Sequence, residues 1–207
     1  MYLSRLALDP RARQVQSELA NPYEMHRTLA GTFADRYDEE RLLFRVDADR
    51  RTGVPTVLLQ SQHEPDWSAL PEGRYLLDAG DNPASKPYEP GFAPGQLLSF
   101  RLRANPVKRD NDTGKRQGLL QEEEQRAWLD RKGEAAGFRV VRCHVIPEGI
   151  KEIPKRRGGQ ERQMSLLSVR FDGVLQVTDP EALVEALASG IGAAKAFGFG
   201  LLSLARV

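Results

Sequence analysis

Between residues 80 and 95 the chain carries Gly80, Pro83, Pro87, Pro90, Gly91, Pro94 and Gly95. Proline fixes φ and has no N–H to donate, and glycine loses the most conformational freedom on ordering. A continuous helix or central strand is therefore not expected through such a stretch, which reads as a connection. It divides the 207 residues into two halves, 1–85 and 96–207, joined by a linker at 86–95. That length suffices for two small domains, each with its own core.

Each half mixes strands and helices in roughly a β-α-β-β order. In the first, alternation predicts strands over 2–8, 41–46 and 56–62, the last two separated by a turn at Arg51-Thr52-Gly53, with a helix over about 22–35. In the second, a strand over 97–103 carries Arg101 and Arg103 on one side, and a helix follows over 122–136. A strand over 138–147 then leads into a long hairpin with Lys155-Arg156-Arg157-Gly158-Gly159 at its tip. The chain returns over 165–179 with a further turn at Asp172-Gly173, Asp179-Pro180 caps a helix over 181–189, and a last strand closes the half. The first half lacks a clear second helix. The pattern fits an α+β class, two tandem ferredoxin-like domains.

The chemistry concentrates at the start of the first long helix. Asn21 suits an N-cap because its side-chain oxygen accepts a bond from an orphan N–H, and Pro22 suits the first helical position, where no N–H is needed. Glu24 favours the positive end of the helix dipole. At 3.6 residues per turn Tyr23, His26 and Arg27 share one face, while Met25, Leu29 and Phe33 form the apolar stripe that packs the helix down. A phenol, an imidazole and a guanidinium thus meet at a helix N-terminus, a place that favours anions such as phosphate. His26 suits proton transfer near neutral pH, as acid or as base. Arg27 suits a bidentate grip on a phosphate, and Tyr23, with its high intrinsic pKa, suits positioning rather than proton abstraction. From spacing alone, a capping or surface histidine is the commoner outcome.

Charge distribution adds a second signal. The net charge is only +1, yet Arg101, Arg103, Lys108, Arg109, Lys115 and Arg116 form one basic cluster, and Lys151, Lys155, Arg156, Arg157 and Arg162 another. Such patches on a near-neutral protein steer a polyanion to one face, although solvated turns and sheet faces carry similar runs. Cys143 is the single cysteine, which excludes an intrachain disulfide and a zinc site built on several cysteines. The start Met1-Tyr2-Leu3-Ser4-Arg5 lacks the regions of a signal peptide, and no stretch is apolar over a bilayer's thickness, so a cytoplasmic protein without membrane contact is expected. The histidines are scattered, without the carboxylates of a metal cage, so no metal is expected. His63 and His144 read as structural. Gly190-Ile191-Gly192 does not follow a strand and no Walker lysine pattern accompanies it, which argues against a nucleotide cofactor. Trp67 and Trp128 read as core residues.

Several of these runs resemble a known family. Met1-Tyr2-Leu3-Ser4, Tyr23-Glu24-Met25-His26-Arg27-Thr28-Leu29, the segment FRLRANPVK at 100–108 and the segment GIGAAKAFGFGLLSL at 190–204 stand in the same order as in the CasE (Cse3) family, and Phe171-Asp172-Gly173-Val174-Leu175 also fits. These are the CRISPR repeat-processing endoribonucleases of the Cascade complex. The resemblance implies two ferredoxin-like domains of RNA-recognition-motif topology and metal-independent cutting of precursor CRISPR RNA at the base of the repeat hairpin. In that chemistry the 2′-hydroxyl attacks the adjacent phosphate and leaves a 2′,3′-cyclic phosphate and a 5′-hydroxyl. It implies the catalytic role for His26 with Tyr23 beside it, a basic hairpin at Lys155, Arg156 and Arg157 that grips the RNA stem, and RNA contacts at Arg27, Arg101, Arg103, Lys108 and Lys195. The partners it implies are the repeat hairpin RNA, retained after cutting, and the other Cascade subunits, with no cofactor. Some relatives carry a lysine close after the position of Arg27; here Ala30-Gly31 follow Thr28-Leu29. Two other readings are a non-catalytic scaffold for structured RNA and a DNA-binding regulator, the latter without a helix-turn-helix or zinc pattern.

Overall fold

The computed structural model describes residues 1–33, 40–110, 114–157 and 160–207, with 154–157 and 160–162 described by backbone alone. The chain divides into two compact units. One comprises Met1–Glu89 with Lys195–Gly198, the other Pro90–Ala194 with Phe199–Val207.

The first unit holds strands β1 (Tyr2–Ala7), β2 (Leu43–Ala48), β3 (Pro55–Ser61) and β4 (Ala84–Pro87), with helices α1 (Arg13–Ala20) and α2 (Pro22–Gly31). Its antiparallel sheet has the order β2-β3-β1-β4, the ferredoxin-like arrangement. The helices cover one face, where Leu6, Leu8, Met25, Leu29, Phe44, Val57 and Leu59 form the core. Between β3 and β4, where a second crossover helix would lie, the described chain has only the short 3-10 turn Trp67–Ala69.

Two readings of this half change. The Pro/Gly-rich stretch is not wholly a connection, because Ala84–Pro87 within it pairs with β1 as an edge strand. An edge position tolerates Pro87, since the missing donor faces no further strand. Helix α1 was not anticipated; only Val15 and Glu18 of its eight residues are buried, too few for a visible apolar period. Helix α2 starts as expected and ends at Gly31, where the Thr32 hydroxyl donates back to the Leu29 carbonyl at 2.7 Å. Residues 34–35 of the expected helix lie outside the described residues.

The second unit is built from β5 (Leu97–Ala104), the small hairpin β6 (Val107–Arg109) and β7 (Arg116–Gly118), α3 (Glu122–Ala135), β8 (Phe138–Arg157), β9 (Gln160–Val177), α4 (Pro180–Ser189) and β10 (Leu202–Arg206). Its main sheet runs β10-β5-β9-β8, again the ferredoxin-like order, now with both crossover helices. The Asp179 carboxylate accepts from the N–H groups of Glu181 and Ala182 at 3.0 and 3.1 Å and so starts α4 as predicted. Trp128 is buried and stacks on Phe171. Asp172-Gly173, expected to turn, lies inside β9. Gly173 is required there because a Cβ would stand 2.1 Å from the Arg142 carbonyl oxygen, where β8 shifts register between Val140 and Arg142.

Beyond the sheet, β8 and β9 continue as a two-stranded arm: β5 pairs with β9 only from Val169 onward, while β8 stays paired with β9 out to Arg157 and Gln160. No described helix is long and apolar enough to cross a membrane.

Candidate active site

The candidate helix face is set by local chemistry at Asn21. Its backbone N–H donates to the Ser17 carbonyl at 2.9 Å and closes α1, while its side-chain oxygen accepts from the Tyr23 N–H at 3.3 Å and opens α2. One residue thus caps both helices, and α2 leaves at a defined angle. Met25 and Leu29 are fully buried beneath it, which leaves Tyr23, His26 and Arg27 on the outer flank as the spacing predicts.

The three side chains meet different environments. Tyr23 is 44 % exposed, and its ring lies nearly parallel to that of His26, with centroids 6.3 Å apart. His26 is partly buried, with its ring 6.2 Å from that of Phe44, itself fully buried on β2. Burial holds the imidazole below its ordinary pKa, so the neutral form predominates near pH 7. Arg27 is exposed and donates to the Glu24 carboxylate at 2.9 Å. An exposed pair one helical turn apart is weak, so phosphate can exchange for that carboxylate.

Phe44 and Phe197, which sequence reasoning did not single out, complete this cluster. The short turn Lys195–Phe197 comes from the glycine-rich run near the C-terminus yet belongs to the first unit. It brings Phe197 within 5.7 Å of the Tyr23 ring. Gly198 follows with φ +80, and a Cβ there would stand 3.3 Å from the Phe44 ring. Glycine therefore lets the turn lie close to β2, and Lys195 stands at the first position of the same turn. The Phe197-Gly198-Phe199-Gly200 alternation was the available signal, since two glycines flanking an aromatic mark backbone that must bend and approach closely.

The other predicted residues are spread over the second unit. Arg101 and Arg103 project from one face of β5, opposite Leu98, Phe100, Leu102 and Ala104 in the core. Both are held bidentately by carboxylates, Arg101 by Asp172 at 2.7 and 2.8 Å and Arg103 by Glu148 at 2.6 and 2.8 Å. Arg170 lies near both carboxylates, 3.4 Å from Asp172 and 3.7 Å from Glu148, and Ser168 donates to Glu148 at 2.8 Å. Burial raises the Glu148 pKa, but the bonds and charge of Arg103, with Ser168, outweigh it and leave the carboxyl below its usual range. Lys108 sits on β6, in a small hairpin with β7, and pairs with Glu124 at 3.1 Å. Lys155, Arg156 and Arg157 end the two-stranded arm; their side chains lie outside the described residues. His63 donates or accepts at Nδ1 with the buried Glu40 carboxylate at 3.0 Å, and His144 is exposed on β8.

The family model described as CRISPR associated protein matches residues 1–206. The chain belongs to this CRISPR-associated family. It is 41 % identical over 215 residues to the CRISPR-associated endoribonuclease Cse3 of Thermus thermophilus, covering 99 % of this chain and 100 % of that one. It is 36 % identical over 218 residues to the CRISPR system Cascade subunit CasE of Escherichia coli, covering 99 % of each. Among solved structures, Cse3 bound to a 19-nucleotide RNA superposes with a TM-score of 0.89 at 41 % identity, over 100 % of both chains. The similarity runs through both ferredoxin-like units and the segments that carry Tyr23, His26 and the glycine-rich run.

Proposed function

We propose that this CRISPR-associated protein is an endoribonuclease that cuts precursor CRISPR RNA at the base of the repeat hairpin and stays with the product as a Cascade subunit in the cytoplasm. The observation that carries the assignment of the site is the outer face of α2, where the half-buried His26 imidazole lies beside an accessible phenol and guanidinium.

In this reading the bond that breaks is phosphorus to the 5′-oxygen, and the nucleophile is the neighbouring 2′-hydroxyl. The neutral His26 imidazole takes the 2′-hydroxyl proton as the oxygen attacks phosphorus. Such general-base catalysis contributes about 10²–10⁴-fold. Arg27 leaves Glu24 for a non-bridging phosphate oxygen, where a permanent charge stabilises the pentacoordinate state. Tyr23, stacked on His26 and tilted against Phe197, orients the ribose or the imidazole through its hydroxyl. The 5′-oxygen departs as its bond to phosphorus breaks and takes up a proton that the His26 imidazolium returns through solvent, which leaves a 2′,3′-cyclic phosphate and a 5′-hydroxyl and restores the neutral imidazole. Lys108, Lys195, Arg101, Arg103 and the arm residues Lys155, Arg156 and Arg157 hold the RNA. No step requires a metal.

The test is cleavage of the host's own repeat hairpin RNA in excess EDTA, by wild type and His26→Ala, with binding measured for both. The expected result is one cut at the stem base by wild type, none by His26→Ala, and similar affinities. Binding without cleavage by wild type, even after metal is restored, makes the protein a scaffold and removes the catalytic role of the α2 face.

A further inference from the structure

Beneath α2, on the flank turned away from His26, three chain segments converge on one carboxyl group. Glu18, in the last turn of α1, is 3 % exposed. It accepts from the Tyr75 hydroxyl at 2.6 Å, from the Thr28 hydroxyl at 2.6 Å and from the Gln14 amide at 3.0 Å. Tyr75 is itself buried, and its segment is tied to the end of β1, where its carbonyl accepts from the Asp9 N–H at 3.0 Å and Leu8 bridges Leu76. Burial, then the neighbouring carboxyl, raise the Tyr75 pKa, so the hydroxyl stays protonated and donates. No cation pairs with Glu18 among the described residues.

A carboxyl buried without a cation is a costly way to fill a helix contact; a leucine would pack at less cost. What it supplies is direction. Apolar packing under Met25 and Leu29 resists separation of α2 from the sheet but resists rotation about the helix axis weakly. A short bond from Thr28 to a carboxyl fixed by Tyr75 and Gln14 sets that rotation, and with it the heading of His26 and Tyr23 on the opposite flank. Asn21 restrains only the first turn of α2, whereas Thr28 lies in the second half of the helix.

We infer that Glu18 is a positioning residue for RNA cleavage, acting through Thr28 to hold α2 in the rotation that presents His26 to the scissile phosphate. The inference rests on His26 being the proton-transfer residue. Small displacements of a catalytic group are expensive: a shift of about 1 Å can cost about 10²-fold in rate.

The experiment compares wild type, Glu18→Leu, Thr28→Val, Thr28→Ser and His26→Ala as full-length proteins. Each is checked for folding by circular dichroism and thermal melting, then for RNA affinity and for the single-turnover rate at saturating repeat RNA. Thr28→Val is nearly isosteric and keeps the variant set informative if Glu18→Leu fails to fold. The expected result is a rate loss of about tenfold or more in Thr28→Val with affinity changed less than about twofold, and recovery in Thr28→Ser, which restores the hydroxyl. A folded Thr28→Val that cuts at the wild-type rate overturns the inference, as does a loss confined to affinity. If His26→Ala cuts like wild type, the reading of the site itself fails. An inactive His26→Ala beside a fully active Thr28→Val removes only the role given to Glu18.

Discussion

In the proposed reaction, the surroundings of His26 favour one of two chemical roles. The sequence leaves it as acid or base. It packs near Phe44 with no carboxylate partner among the described residues, and burial lowers its pKa from 6.5. A base must be unprotonated at the working pH, and a lowered pKa provides that. The single-turnover rate at saturating RNA is therefore expected to be level near neutrality and to fall as pH drops, with its midpoint below 6.5. A rate that instead falls as pH rises through that value makes His26 the acid. The same shift affects stability with a defined sign. The unfolded chain takes up the proton more readily than the folded one, so stability is highest above 6.5 and declines as pH falls through the lowered value. Replacing His26 by Gln removes that contribution, and urea melts across the acid range measure it. At this scale the candidate site was readable where chemistry is local: Asn21, Pro22 and the Tyr23–His26–Arg27 spacing required no distant contact. Phe44 and Phe197 could not be read in the same way, because only the tertiary fold brings β2 and a turn some 170 residues from Tyr23 together. The carboxylates that hold Arg101 and Arg103 are likewise remote in sequence, 71 and 45 residues away, although the shared face of the two arginines followed directly from strand alternation.

Elements were legible in proportion to the independence of their signals. Helices α2 and α4 begin with an Asx cap followed by proline and were placed correctly at their starts. Helix α1 has no side-chain cap and little apolar period, and β4 hides in a proline-rich stretch that an edge strand can tolerate. Asp172-Gly173 carries a turn signature, but close approach of β8 demands the glycine within a strand. The glycine-rich run near the C-terminus combines local and distant causes. Gly198 needs a positive φ and also space beside Phe44. Alanine there pays about 1–2 kcal/mol for the left-handed backbone, besides displacing the phenyl ring. Gly198→Ala is expected to lower the melting temperature and to slow cleavage, because the Lys195–Phe197 turn moves relative to Tyr23. Fluorescence-monitored melting and single-turnover cleavage report the two effects, and unchanged values for both would show that the turn relaxes without consequence.

Across the molecule, the two units repeat one sheet order while their decorations differ. The first contributes a compact face of aromatic and titratable side chains; the second extends a ladder well past its own sheet. An unsupported two-stranded arm is marginal unless part of it packs. Here Gly118 of β7 lies close enough to Leu167 that a Cβ would touch it at 3.4 Å, and Ile153 is 1 % exposed. The arm is thus anchored at its base, and Lys155, Arg156 and Arg157 are carried to its end. Positive charge at the end of an anchored arm binds a polyanion by displacing counterions, so its contribution must depend on salt. Each phosphate contact adds about 0.7–0.9 to the slope of log affinity against log salt. Replacing Lys155, Arg156 and Arg157 together by Gln is expected to weaken binding of the repeat hairpin at low salt and to reduce that slope by about 2–3. The melting temperature should stay near that of wild type, because the substitutions lie outward of the buried Ile153 and leave the backbone ladder in place. An unchanged slope would mean that the arm's basic end does not touch phosphate, and RNA binding would then have to rest on the residues nearer the sheets.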